Sequence, residues 1–154
     1  MKRAVALLLV LACVTVSASA QSTTDSSTSG VKDFLEGIRA AIQKNLGKPY
    51  VWGATGEKSF DCSGFVWKVL YDNGILMKRT TARKYYMMLK PASKEEQGNF
   101  ATLVFFDDLK HVGIIDSPKE FYHAQSVVGT NLSPMNSYWK KMVYGYRLMP
   151  QPEK

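Results

Sequence analysis

Tyr50-Val51-Trp52-Gly53-Ala54, then a short glycine-broken loop, then Phe60-Asp61-Cys62-Ser63-Gly64-Phe65-Val66 set a cysteine where a loop becomes a helix. Backbone N–H groups at a helix N-terminus carry partial positive charge. They favour thiolate over thiol and leave donors free for a developing oxyanion. The expectation is a nucleophile, with a thiol pKa below the ordinary value of about 8.5. From this stretch the chain reads as a cysteine hydrolase.

Towards the N-terminus, Lys2-Arg3, the apolar run Ala4 to Val16 and the small residues Ser17-Ala18-Ser19-Ala20 form a secretory signal over residues 1–20. Ala18 and Ala20 give an A-x-A site, so cleavage after Ala20 leaves Gln21 as the mature N-terminus. Leu11-Ala12-Cys13 offers a less favoured lipoprotein-type cut, because Leu11 is bulky where such sites prefer a small residue. No segment approaches the roughly 18 apolar residues of a transmembrane helix. The expected product is therefore secreted or periplasmic, and Cys62 is the one thiol that remains, so no internal disulfide is available. Without Lys2 and Arg3 the 20 basic residues fall to 18 against 13 acidic ones, a balance of +5. Such a charge suits an anionic cell wall. The basic residues are scattered apart from Lys78-Arg79 to Arg83-Lys84 and carry no nucleic-acid-binding motif.

Residues 21–30 are rich in Ser and Thr and read as a flexible leader. Structure is expected from about Val31, with residues 31–150 as one domain. Val31, Phe34, Leu35, Ile38, Ala41, Ile42 and Leu46 recur at helical spacing, stopped by Gly47 and Pro49. A second helix begins near Cys62, buries Val66, Val69 and Leu70, and ends at Asn73-Gly74. Thr80 to Leu89 reads as a third, weaker helix. Short β-type runs follow at Leu103–Phe106, Val112–Asp116, Phe121–Gln125 and Val143–Leu148, while residues 131–141 read as a long loop or irregular segment. Asn131-Leu132-Ser133 also matches a glycosylation sequon, a pattern common by chance. Helices first and strands second predict an α+β fold with an antiparallel sheet.

The chain has two histidines, His111 and His123, at or within strands joined by the turn Asp116-Ser117-Pro118-Lys119-Glu120. In a hairpin with an odd-length loop and no bulge, residues whose numbers sum to 234 or 236 lie opposite each other. His111 and His123 then share one face as direct or diagonal neighbours, with Cβ atoms about 5 to 8 Å apart. Gly113 falls on the same face and is expected to leave space for a substrate. A cysteine, an adjacent imidazole and a polar group holding that imidazole make a nucleophile, base and orienter for acyl transfer. Blander readings use the same residues. A lone helical cysteine is ordinarily a small buried hydrophobe, a histidine near a strand end is ordinarily a polar surface residue, and Tyr50 and Trp52 fit as core aromatics, Trp52 especially. Cys62, His111, His123 and an aspartate would also serve as zinc ligands, although no ligand pair has the usual close spacing.

Tyr50-Val51-Trp52-Gly53, Asp61-Cys62-Ser63-Gly64-Phe65-Val66, Leu103-Val104-Phe105-Phe106, His111-Val112-Gly113-Ile114 and Tyr122-His123-Ala124 together resemble the NlpC-type family of papain-like peptidases, which cut peptidoglycan stem peptides. The gaps fit as well: the tyrosine lies 12 residues before the cysteine, the first histidine 49 after it, and the second 12 further on.

The resemblance implies a papain-like fold with N-terminal helices packed on a C-terminal antiparallel sheet. It implies Cys62 as nucleophile, His111 as general base and His123 as the residue orienting it. Tyr50 would offer its hydroxyl to the oxyanion beside the Cys62 N–H, and Asp61 and Ser63 would contact the stem peptide. The implied substrate is a γ-D-glutamyl-diaminopimelate or D-Ala-diaminopimelate bond, cleaved by a monomer with no metal and no cofactor. Relatives commonly carry a second glycine at Ala54, Gly-Asp at Ala101-Thr102, and Leu-Pro-Arg with a later Gln at Met77-Lys78-Arg79 and Lys84. These departures bear on the substrate subsites. An amidase or acyltransferase using the same triad, and an inactive wall-binding module, are the alternatives.

Overall fold

The computed structural model describes residues 24–152. The expected signal at 1–20 and the alternative anchor at Cys13 lie outside them. Helix α1 spans Thr24–Lys44, so the backbone is already helical across most of the stretch expected to be a flexible leader. Its inner stripe buries Ile38, Ala41 and Ile42. Gly47, at φ +74°, ends the turn that follows. There the chain is strapped to a distant segment: Gly47 N–H donates to the Thr130 carbonyl at 2.8 Å, Thr130 N–H to the Lys48 carbonyl at 2.9 Å, and Thr130 Oγ1 to the Asn45 carbonyl at 2.6 Å.

Helix α2 runs Cys62–Asp72 and stops at Asn73 and Gly74 (φ +78°), as the sequence predicts. Phe65, Val66, Val69 and Leu70 are fully buried. The short helix α3, Ala82–Met88, is capped by Thr81, whose side chain accepts from Lys84 N–H, and it buries Tyr85. Strands β1 (Leu103–Phe106), β2 (His111–Ser117), β3 (Glu120–Gln125) and β4 (Gly129–Pro134) follow. Helix α4, Ser137–Met142, then leads into β5, Val143–Arg147. The sheet has the order β4-β3-β2-β1-β5, with every pair antiparallel. The segment 131–141 is therefore not a loop: it supplies most of an edge strand and a helix.

Both faces of the sheet are covered, which explains why β1 reads Leu-Val-Phe-Phe without alternation and is buried throughout. Leu103, Phe105, Val112, Ile114, Tyr122 and Ala124 meet the three N-terminal helices. Val104, Phe106, Ile115 and Phe121 face the other way, under Trp139 and Met142 of α4. Ala101 sits at φ +71°; its buried methyl sets apolar burial against that strain.

Candidate active site

Asp61 starts α2 as its N-cap, with an extended backbone at φ −90°, ψ 178°. One carboxylate oxygen, Oδ1, accepts from Gly64 N–H at 2.6 Å, Ser63 Oγ at 3.2 Å and Arg79 Nη2 at 2.5 Å, while Oδ2 accepts from Gly53 N–H at 3.0 Å. Arg79 Nη1 donates to Ser63 Oγ at 2.9 Å. Asp61 and Ser63 are thus turned inward and buried. Their bonds hold the loop 53–54 and Arg79 against the helix start. Gly64 is required here, since a Cβ would fall 2.2 Å from the Ala54 carbonyl oxygen.

One residue into the helix, the Cys62 thiol is 5% exposed and lies 3.7 Å from the Lys110 carbonyl oxygen. The backbone N–H groups of Val112 and Ser63 favour the thiolate from nearby. Backbone on either side of residue 111 thus meets the thiol, which brings Cys62 to the start of β2. The turn that delivers Lys110 is unusual: Asp107, Asp108 and Leu109 are three successive non-glycine residues at φ +48°, +49° and +68°, a conformation costing roughly 1–2 kcal/mol each. Arg83 of α3 holds it by donating to the Asp108 carbonyl at 2.7 Å and its carboxylate at 3.2 Å. The buried Leu109 side chain anchors it from below.

His111 Nε2 lies 2.8 Å from His123 Nδ1, so the two histidines meet as the sequence predicts. The route to that result differs from the expectation. The hairpin closes tightly at Ser117↔Glu120, which alone would put the histidines on opposite faces, and a bulge between Ile115 and Ser117 restores the Ile114↔Tyr122 register. Gly113 shares the histidines' face but leaves no substrate space: a Cβ there would meet Phe121 Cδ2 at 2.7 Å, and the Phe121 ring fills the room. Trp139 of α4 stacks on His111, with ring centroids 5.6 Å apart, and meets His123 edge-on at 5.0 Å. His123 Nε2 lies 2.9 Å from Ser133 Oγ on β4.

Burial dominates the electrostatics. It holds His111 down to about 4, partly opposed by Asp107, and burial together with His111 holds His123 down to about 3. Burial and the Asp61 carboxylate push the Cys62 thiol up, against the lowering by Val112 and Ser63 N–H and by Arg79. Desolvation thus works against the low thiol pKa that the helix terminus favours. Both shifts favour the neutral thiol and imidazole. Tyr50 is raised by burial, by Cys62 and by Asp61, so its phenol stays protonated and able to donate. Trp52, expected in the core, is 81% exposed. Among the described residues no three His, Cys, Asp or Glu side chains gather into a metal-binding group.

Sequence reasoning did not find Ser133 or Trp139. For Trp139 a signal existed, since Asn136 followed three residues on by Trp139 is a helix-start pattern, and Asn136 Oδ1 does accept from Trp139 N–H at 3.2 Å. Ser133 carried none.

A thiol at a helix start, packed on an antiparallel sheet that carries a histidine pair, defines an α+β domain of papain-like type. Residues 47–148 match the NlpC/P60 family, to which the chain belongs. It is 38% identical over 105 residues to a probable peptidoglycan endopeptidase, LytE, of Bacillus subtilis (65% of this chain, 30% of that protein). Against the probable endopeptidase NlpC of Escherichia coli it is 30% identical over 124 residues (70% of this chain, 73% of that one). A Staphylococcus aureus structure described as similar to lipoprotein, NLP/P60 family, superposes with TM-score 0.68 at 29% identity, covering 78% of this chain and 42% of that one. The chain thus spans less than half the length of several proteins it resembles.

Proposed function

We propose that this domain is an exported cysteine endopeptidase that hydrolyses peptide bonds in peptidoglycan stem peptides or their crosslinks. The observation that carries the reading is the Cys62 sulfur set against the backbone at the start of β2, the strand whose first residue, His111, joins His123 at 2.8 Å. The names of the Bacillus and Escherichia relatives support the substrate class.

Nε2 of His111 is engaged by His123, so Nδ1 is the ring nitrogen available to the thiol. As Sγ attacks the carbonyl carbon, its proton passes to Nδ1, because burial disfavours a standing ion pair. The oxyanion is held by the Cys62 N–H, left free in the first helical turn, and by the Tyr50 hydroxyl. The C–N bond breaks as His111 protonates the leaving amine. Water, deprotonated by His111, then hydrolyses the thioester and regenerates the thiol. His123 orients the base throughout. Export follows from the secretory pattern at 1–20, and among the described residues no helix is long and apolar enough to cross a membrane.

The test is incubation with purified muropeptides, with products identified by mass spectrometry. Cys62→Ala should abolish cleavage with the fold intact, and Tyr50→Phe should lower kcat by about 10²-fold with little change in KM. Cleavage by Cys62→Ala would remove the central claim. Products cut at a sugar–peptide amide, or transferred to an acceptor, would replace the endopeptidase with an amidase or acyltransferase.

A further inference from the structure

We infer that Ser133, held by Asn131, is a positioning residue that sets the tautomer of His123 and through it keeps His111 able to accept a proton. The inference rests on the catalytic reading above and extends the site to the sheet edge. Asn131 stands directly opposite His123 in the β3–β4 register, and Ser133 stands opposite Phe121. These residues therefore share one face. Ser133 Oγ lies 2.9 Å from His123 Nε2 and accepts from Asn131 Nδ2 at 2.9 Å. His123 is fully buried and Ser133 is 6% exposed, so water does not replace either partner.

The Leu132 carbonyl fixes the orientation of the Asn131 amide, and Gln125 follows it. Asn131 Nδ2 faces the Leu132 carbonyl at 3.3 Å, and its Oδ1 accepts from Gln125 Nε2 at 3.1 Å. A flipped amide would set oxygen against the Leu132 oxygen. Asn131 is thus a donor to Ser133; it fills one lone pair of Oγ and leaves the second, with the hydroxyl hydrogen turned away from the ring, to accept from His123.

Two directions exist for the rest of the chain. If His123 carries its proton on Nε2, it donates to Ser133, its Nδ1 accepts from His111 Nε2–H, and His111 Nδ1 keeps a lone pair for the thiol. If Ser133 donates instead, His123 carries its proton on Nδ1, His111 accepts at Nε2, and His111 Nδ1 bears the hydrogen and cannot act as base. Once His111 takes the thiol proton it has two N–H groups, and a neutral His123 can then receive one only at Nδ1. The working direction therefore needs Ser133 as acceptor. The triplet Asn131-Leu132-Ser133, which matches a sequon, is this acceptor unit.

The chain's two histidines make ring-nitrogen NMR direct. In the parent protein, long-range ¹H–¹⁵N spectra should show His123 protonated at Nε2 and His111 at Nε2. Ser133→Ala should move His123 towards the Nδ1-protonated form, and Ser133→Thr, which keeps the hydroxyl, should restore it. On muropeptides, Ser133→Ala should lower kcat about 10-fold at unchanged KM, short of the 10²- to 10⁴-fold attached to losing a general base. A parent His123 protonated at Nδ1, or a Ser133→Ala tautomer identical to the parent, would overturn the inference. The spectra need no substrate. A tautomer shift in a protein that cleaves no muropeptide would therefore sink the proposed activity and leave this inference standing.

Discussion

Cys62 is placed by forces that oppose its ionisation. The helix start that sets it against β2 also buries it, and the N-capping Asp61 carboxylate adds a negative charge nearby. Alkylation by iodoacetamide should therefore rise with pH through a midpoint above the ordinary thiol value of about 8.5. Asp61→Asn removes the charge while keeping an oxygen for the cap, and should shift that midpoint down. A parent midpoint below 8 would mean that the helix terminus outweighs desolvation after all. The placement of Cys62 at a helix start and of His111 beside His123 was legible from residue type and spacing. The direction of the thiol shift was not, because it depends on how much protein closes over the sulfur.

The β2–β3 hairpin shows where pattern reasoning at the level of elements holds and where it breaks. Side-chain parity was readable, and the two histidines do share a face. The bulge that preserves it was not readable, since Asp116-Ser117-Pro118-Lys119-Glu120 is compatible with several closures. Gly113 was assigned to the correct face for the wrong reason. Its missing Cβ admits the Phe121 ring beneath the histidines, and Gly113→Ala would place a methyl 2.7 Å from that ring and 2.9 Å from the Tyr122 carbonyl oxygen. Backbone cannot give way cheaply there, so the variant should lose about 1–3 kcal/mol of stability in denaturant unfolding. A variant as stable as the parent would show that the hairpin yields to the added methyl.

Across the whole molecule, two neutral histidines buried in one cluster make stability depend on acidity. The unfolded chain protonates histidine at about 6.5, whereas the folded chain holds His111 down to about 4 and His123 to about 3. Above pH 6.5 both states are neutral there and stability is full. Below it the unfolded state binds protons that the folded state refuses, so stability falls, by about 1.4 kcal/mol per pH unit for each histidine. Carboxylates titrate mostly below pH 5, which leaves the window from 6.5 to 5 to the histidines. Urea unfolding at pH 7, 6 and 5 should show the decline, and His123→Gln should remove about half of it. A parent protein equally stable at pH 7 and pH 5 would refute the buried neutral pair.

What the sequence determined by itself was whatever local period and residue type encode. The Ile38-Ala41-Ile42 stripe, the Asp61 cap followed by buried Val66, Val69 and Leu70, and the continuous apolar run of β1 each specify an element, and the helix-then-strand order specifies an antiparallel sheet. Tertiary structure alone decided the polar margin. β4 has little intrinsic strand character and exists because β3 offers it a ladder, and α4 is short, with no buried residue of its own. Trp52 looks like a core residue by composition and is excluded because the loop that bears it is held from the other side, through Gly53 and Asp61. Ser133 reaches His123 only after β3 and β4 have paired, since a hydrogen bond across a sheet depends on register, and register is a property of the assembled fold.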